Sequence, residues 1–186
     1  MIFTKTTVND AYIVELDKRE DHRGFFARTW DKNEFEEHNL NSNLVQCNVS
    51  FSKKRGTLRG MHYQKKPFEE SKLIRCTKGK IFDVIIDLRT HSSTFKKWFG
   101  VELTQENYKM LYVPEGFAHG FCVLSETADV LYKTTDLYNP GDEYGVLWSD
   151  PSIGIDWPID VPVVSDKDKV FPGLSEAPEK DLPIYK

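Results

Sequence analysis

Hydrophobic and polar positions alternate along most of this chain. In GKIFDVIIDL, residues 79–88, Phe82, Val84, Ile86 and Leu88 take turns with Ile81, Asp83, Ile85 and Asp87. That period of two, bounded by Lys78-Gly79 and Arg89-Thr90, predicts a strand buried mainly on one face. Similar segments recur at Tyr12–Leu16, Leu44–Ser50, Leu58–Tyr63, Trp98–Leu103, Met110–Val113, Gly120–Leu124 and Val130–Thr134. Parallel βαβ units would need helices between such strands, so the spacing predicts an all-β sandwich or barrel. Only Lys32–Asn39 reads as a helix, with Asp31 as its N-cap and Glu34 at the third helical position. Internal repeats and linkers are missing, so one domain is expected over 1–186, with its core at about 10–160. The proline- and charge-rich tail beyond Val161 should wrap the surface.

Composition narrows the classes of function. With 39% hydrophobic and 29% charged residues the chain is an ordinary globular sequence, and 186 residues suffice for a real core. A formal net charge of −4 argues against binding to a nucleic-acid backbone, yet a few arginines in a pocket could still hold a small anion. No apolar run approaches a membrane span, and the N-terminus lacks the long apolar stretch of a signal peptide. Cys47, Cys76 and Cys122 are odd in number and outside any CxxC spacing, which fits reduced core thiols in a cytoplasmic protein.

Three segments carry more polar and aromatic groups than a plain sandwich needs. GTLRGMHYQ (56–64) holds Arg59 and His62, PEGFAHGF (114–121) is a turn delivering His119, and ADVLYKTTDLY (128–138) holds Tyr132 and Tyr138. Those two tyrosines are six apart and so could share one face of an extended strand. Histidine suits proton abstraction when a carboxylate orients its ring, but a lone strand histidine is more often surface or satisfied core. Flanking arginines and strand tyrosines have equally ordinary readings as surface charge and packing. The PxGxxH of Pro114–His119 resembles the second metal motif of cupins. The first needs an HxH pair, and the matching stretch here is His62-Tyr63-Gln64. About three converging protein ligands are needed for a catalytic metal, so none is expected.

Taken together and in order, the segments resemble the dTDP-4-dehydrorhamnose 3,5-epimerase family from about Asp21 to about Asp168. The resemblance runs through RGFF (23–26), QCNVSFS (46–52), LRGMHYQ (58–64), KLIRCTKG (72–79) and DVIIDLR (83–89). It continues through PEGFAHGF, YKTTDLY (132–138), SDPSIGIDWP (149–158) and SDKD (165–168). It implies a cupin-like β-jelly-roll with a short helix and a C-terminal tail. It also implies an enzyme that removes and returns the carbon-bound protons at C3 and C5 of a nucleotide-linked 4-keto-6-deoxyhexose, without a cofactor. By resemblance His62 is the base, Asp168 its partner, Lys72 the cation at the C4 oxygen and Tyr132 the acid on the opposite face. Arg23 and Arg59 would hold the diphosphate and sugar, and Tyr138 would stack on the base. Arg28, Gln46, Asn48, His119, Glu143 and Lys167 fall at other ligand-contacting positions. A homodimer is implied, with Arg23 reaching the neighbouring subunit's pocket.

Two positions depart from the family pattern. Arg19 stands where many members carry an aromatic residue near the base, and Arg28 where many carry glutamate. The nucleotide handle therefore stays open. So do a relative inverting only one centre, one using a CDP-linked sugar, and a non-catalytic cupin-type binding module. The set His62, Lys72, Tyr132 and Asp168 separates the enzyme from the module, which has no reason to keep all four.

Overall fold

A computed structural model describes residues 1–177 and 182. The expected tail therefore lies partly outside the described residues, at 178–181 and 183–186. In chain order the strands before the helix are β1 (Ile2–Lys5), β2 (Tyr12–Glu15), β3 (Arg19–Asp21) and β4 (Gly24–Phe26). Helix α1 (Lys32–Glu37) follows, then β5 (Gln46–Ser52), β6 (Thr57–Gln64), β7 (Lys72–Lys78), β8 (Lys80–Asp87) and β9 (Trp98–Thr104). The chain closes with β10 (Met110–Val113), β11 (Phe117–Val123), β12 (Ala128–Thr134), β13 (Glu143–Gly145), β14 (Val163–Val164) and α2 (Asp166–Lys169).

Two sheets face each other as a jelly roll. One runs β1-β2-β10-β7-β12-β5 and the other β13-β6-β11-β8-β9, with β14 added to β6. Between them lies a core that includes Ile74, Cys76, Ile81, Ile85, Leu111, Phe121 and Val130. Helix α1 starts as the sequence predicts: Asp31 Oδ1 accepts from the amides of Asn33 at 3.0 Å and Glu34 at 3.3 Å. Among the described residues no helix is long and apolar enough to cross a membrane.

Three expectations need correction. Strand β8 is buried on both faces, not mainly on one. Ile81 and Ile85 sit in the inter-sheet core, whereas Val84, Ile86 and Leu88 pack outward against Val146, Ile153 and Leu174. Leu174 of the tail helps Val146 and Ile153 cover that second face, so the tail forms part of a core layer as well as a wrapping. Of the cysteines, Cys76 and Cys122 are core residues, but Cys47 is exposed on the outer face of the edge strand β5. Tyr132 and Tyr138 share no strand, because β12 ends at Thr134 and Tyr138 lies in the loop beyond.

Candidate active site

One end of the sandwich opens into a cleft of about 770 Å³ between the sheets, within the range of small-molecule sites. Inward faces of β5, β7 and β12 form one wall. Their registers place Asn48 opposite Tyr132, and Lys72 opposite Thr134. Strands β6 and β11 form the other wall, where His62 is the register partner of His119.

His62 and Arg59 both line the cleft, although they stand three apart and a regular strand would turn them to opposite faces. The β6–β11 ladder shifts register between His119 and Phe121, which resets the alternation. Glycines make this possible. A Cβ on Gly60 would lie 2.6 Å from Gly120 Cα and 2.7 Å from His119 O, and one on Gly120 would lie 2.7 Å from Arg59 O. Gly60 also has φ +117, a backbone region other residues rarely adopt. Arg59 is anchored across the cleft mouth, donating to Phe51 O at 3.1 Å and Ser52 Oγ at 3.3 Å.

Tertiary structure brings Asp168 to His62 across 106 residues of chain. Ser165 caps α2 by accepting the Asp168 amide at 3.1 Å, and β14 pairs with the start of β6. These contacts hold the carboxylate so that Oδ1 lies 2.7 Å from His62 Nε2, while Oδ2 accepts the Gly60 amide at 3.2 Å. Burial pushes the Asp168 carboxyl up, but the hydrogen bond and charge of His62, with the Gly60 amide, outweigh it and hold the group below the usual carboxylate value. Asp168 is therefore ionised, and His62 Nε2–H donates to it. Phe171 meets the imidazole edge to face at 5.7 Å and packs where a Cβ on Gly145 would come within 2.4 Å, so it seats the ring from behind.

Lys72 and Tyr132 face the same cleft from the other wall. Tyr132 is held above the usual phenol value, first by burial and then by the negative charge of Glu70. Lys72 pairs with Glu70 at 3.2 Å. At the outer end, Tyr138 donates to Glu143 Oε2 at 2.6 Å and Lys167 donates to the same oxygen. The Glu143 bond, with partial burial, pushes the Tyr138 phenol up to about 12. Burial pushes Glu143 itself up, but the Lys167 and Tyr138 bonds pull it below its ordinary value. Gln46 Oε1 accepts the Tyr138 amide at 3.2 Å, tying β5 to this loop.

Eleven of the thirteen site residues expected from the sequence line one cleft: His62, Lys72, Tyr132 and Asp168 with Gln46, Asn48, Arg59, His119, Tyr138, Glu143 and Lys167. Arg23 and Arg28 are not brought there. Arg23 sits in the β3–β4 turn, 78% exposed and paired with Asp21 at 2.6 Å. Arg28 pairs with Asp31 at 3.3 Å and, with Arg19 and Glu34, borders a separate small recess of about 50 Å³. Two further residues escaped the sequence reading. Asp83 on β8 is fully buried and binds His119 Nε2 at 2.8 Å. It shares one face of β8 with Ile81, Ile85 and Asp87, and with two acids there the sequence did not single it out. Glu70 gave no signal, lying in a loop where acids are common.

Gln64, at the position of the missing cupin histidine, has a structural job. Its Nε2 donates to Phe68 O at 2.9 Å and Leu137 O at 3.2 Å, and its Oε1 accepts the Asn139 amide at 2.7 Å. Both ends of the amide are used to fasten two loops over the cleft. Among the described residues no group of three His, Cys, Asp or Glu is placed to hold a metal ion.

Comparison with known proteins agrees with this geometry. The sequence profile of the dTDP-4-dehydrorhamnose 3,5-epimerases matches residues 5–176. A dTDP-4-dehydrorhamnose 3,5-epimerase of Shigella flexneri is 49% identical over 165 residues, covering 88% of this chain and 91% of the relative. The crystal structure of the Elizabethkingia anophelis dTDP-4-dehydrorhamnose 3,5-epimerase superposes with a TM-score of 0.92 at 43% identity, covering 94% of this chain and 97% of that one. A Legionella pneumophila dTDP-6-deoxy-D-glucose-3,5-epimerase, solved in complex with dTDP-4-keto-L-rhamnose, gives a TM-score of 0.93 at 38% identity, covering 100% and 98%. On its profile, its relatives and its jelly-roll fold, this chain belongs to the dTDP-4-dehydrorhamnose 3,5-epimerase family of isomerases.

Proposed function

We propose that the chain inverts C3 and C5 of a dTDP-linked 4-keto-6-deoxyhexose, converting dTDP-4-dehydro-6-deoxy-D-glucose to dTDP-4-dehydro-L-rhamnose. The observation that carries this reading is the His62–Asp168 pair on one wall of the cleft with Tyr132 and Lys72 on the other. Hydrogens on C3 and C5 are both α to the C4 ketone and leave as protons once the enolate is stabilised. With Nε2–H bound to ionised Asp168, His62 Nδ1 keeps the lone pair that accepts them, and Asp168 stabilises the imidazolium that forms. The Lys72 ammonium meets the charge developing on the C4 oxygen. Tyr132, kept protonated by its surroundings, returns a proton from the face opposite His62, and that change of face is the inversion. Proton transfer and enolate stabilisation are both supplied by side chains, so the mechanism calls on no cofactor.

Arg59 and Lys167 suit the diphosphate as cations at the cleft, and Tyr138 offers the base a flat surface once its hydroxyl leaves Glu143. The working unit is a homodimer. Support for this comes from Val49 and Phe51, apolar and 67% and 54% exposed on the outer face of the edge strand β5, and from Arg23 on a hairpin outside its own cleft. The test is NMR in deuterium oxide with the dTDP-linked 4-keto-6-deoxyglucose. Label is expected at both C3 and C5 with formation of the L-rhamno product. Label at C3 alone would make the chain a single-centre epimerase, and label at neither would overturn the reading.

A further inference from the structure

The ion pair between Glu70 and Lys72 lies inside the cleft on the wall opposite the His62–Asp168 pair. Glu70 stands two residues before the start of β7, a spacing that puts both side chains on the same side of extended chain. Its Oε1 lies 3.2 Å from Lys72 Nζ, and the two side chains are only 9% and 14% exposed. Exposed pairs of this kind are loose because water competes for both partners. Enclosed ones hold each other in place, since separation would leave a buried charge unpaired.

We propose that Glu70 is a positioning residue: it fixes the Lys72 ammonium beside Tyr132, at the point where the 4-keto oxygen becomes an enolate. This rests on the epimerase reading above. A lysine has a flexible four-carbon stem and three donors on its ammonium. With one donor given to Glu70, the stem stops wandering and two donors point in fixed directions toward the cleft. Donors already aimed at the developing charge stabilise it without reorganising during the reaction. The opposing effect is electrostatic, because a carboxylate this close offsets part of the lysine's charge and disfavours the enolate. Positioning and charge offset thus predict opposite signs when Glu70 is removed, and the enclosure of the pair favours positioning.

The experiment follows deuterium uptake and epimerisation in Glu70→Ala, Glu70→Gln and Lys72→Met, and in Glu70→Ala combined with Lys72→Met. Glu70→Ala is expected to lower kcat by about 10- to 100-fold with KM within about threefold of wild type. Glu70→Gln keeps an oxygen acceptor for Lys72 and is expected to recover most of that loss. A residue acting through Lys72 has nothing left to act on once Lys72 is gone, so the double variant should match Lys72→Met. Should the alanine variant fail to fold, Glu70→Met, which fills similar volume without an acceptor, takes its place. A wild type that turns over while Glu70→Ala is equal or faster overturns the inference alone. So does a double variant that loses the same factor again, since that marks a merely structural role. A wild type that exchanges neither carbon overturns the epimerase reading and this inference together.

Discussion

Two histidine–aspartate pairs stand side by side in this cleft, and they differ in ways that matter for proton transfer. His62 and His119 are register partners on β6 and β11, and each binds a carboxylate through Nε2, at 2.7 and 2.8 Å. Yet His62 is 28% exposed and His119 only 12%. Asp168 has both oxygens partnered, by His62 and by the Gly60 amide, whereas Asp83 Oδ2 is buried with no hydrogen-bond partner among the described residues. A base must be reachable, and the charge it gains must meet a carboxylate that is ionised and held in place. The first pair meets both conditions. The second is better built to hold a ligand-contacting ring still.

Removing the rings is the strongest way to break this comparison. His62→Ala is expected to lower deuterium exchange at C3 and C5 by at least about 10³-fold, and His119→Ala by about tenfold or less, mostly through KM. Equal losses in kcat, read by NMR in deuterium oxide, would erase the distinction drawn between the pairs. Exchanging the acids for amides sharpens it. Asp168→Asn should cost about 10²- to 10⁴-fold in kcat, because an amide neither fixes the required tautomer nor stabilises the imidazolium. Asp83→Asn is expected to cost about tenfold or less, since His119 takes up no proton in the proposed mechanism. Steady-state rates for the two variants decide the matter, and an Asp83→Asn loss as large as that of Asp168→Asn would give both pairs catalytic weight.

The smallest expected effect is on stability against acid. The carboxyl of Asp168 is held below its ordinary value in the fold, so its contribution is present above the unfolded carboxylate pKa, about 3.9, and is lost as pH falls through the folded value. His62→Ala removes the main partner and with it much of that contribution. Urea unfolding of the two proteins should therefore show a gap at pH 7 that narrows below about pH 4. A gap that stays undiminished below about pH 4 would mean that the pair does not stabilise the folded chain through the ionised carboxylate.

Much of the fold was legible because jelly-roll strands alternate locally. Every segment assigned as a strand from its pattern is one, within a few residues at the ends. The segment that forms strand β7 entered only among the family motifs and was not read as a strand, and the reason is physical. It runs between β10 and β12, with Leu73 packed on the outer cluster and Ile74 and Cys76 in the inter-sheet core, so two adjacent apolar residues break the period and only Ile74–Thr77 alternates, too short a run to stand out. Helix α2 has four residues, too few to show a period.

The site divides along the same line. His62, Lys72 and Tyr132 stand in segments whose side chains already mark them by type, and the family resemblance assigns them roles. What the sequence by itself determined is the inventory: strands from their alternation, a capped helix from Asp31, and the residue types that acid–base chemistry needs. The meeting of those residues was decided by the tertiary structure. Asp168 reaches His62 only because β14 lays the tail on β6, and His62 and Arg59 share a face only because Gly60 and Gly120 let two backbones approach. Glu70 and Asp83 became visible only through the cation and the ring they hold. Local pattern records which face of its own element a side chain takes. Which distant element lies against that face is fixed by burial and hydrogen bonding over the whole chain, and no window of sequence contains that information.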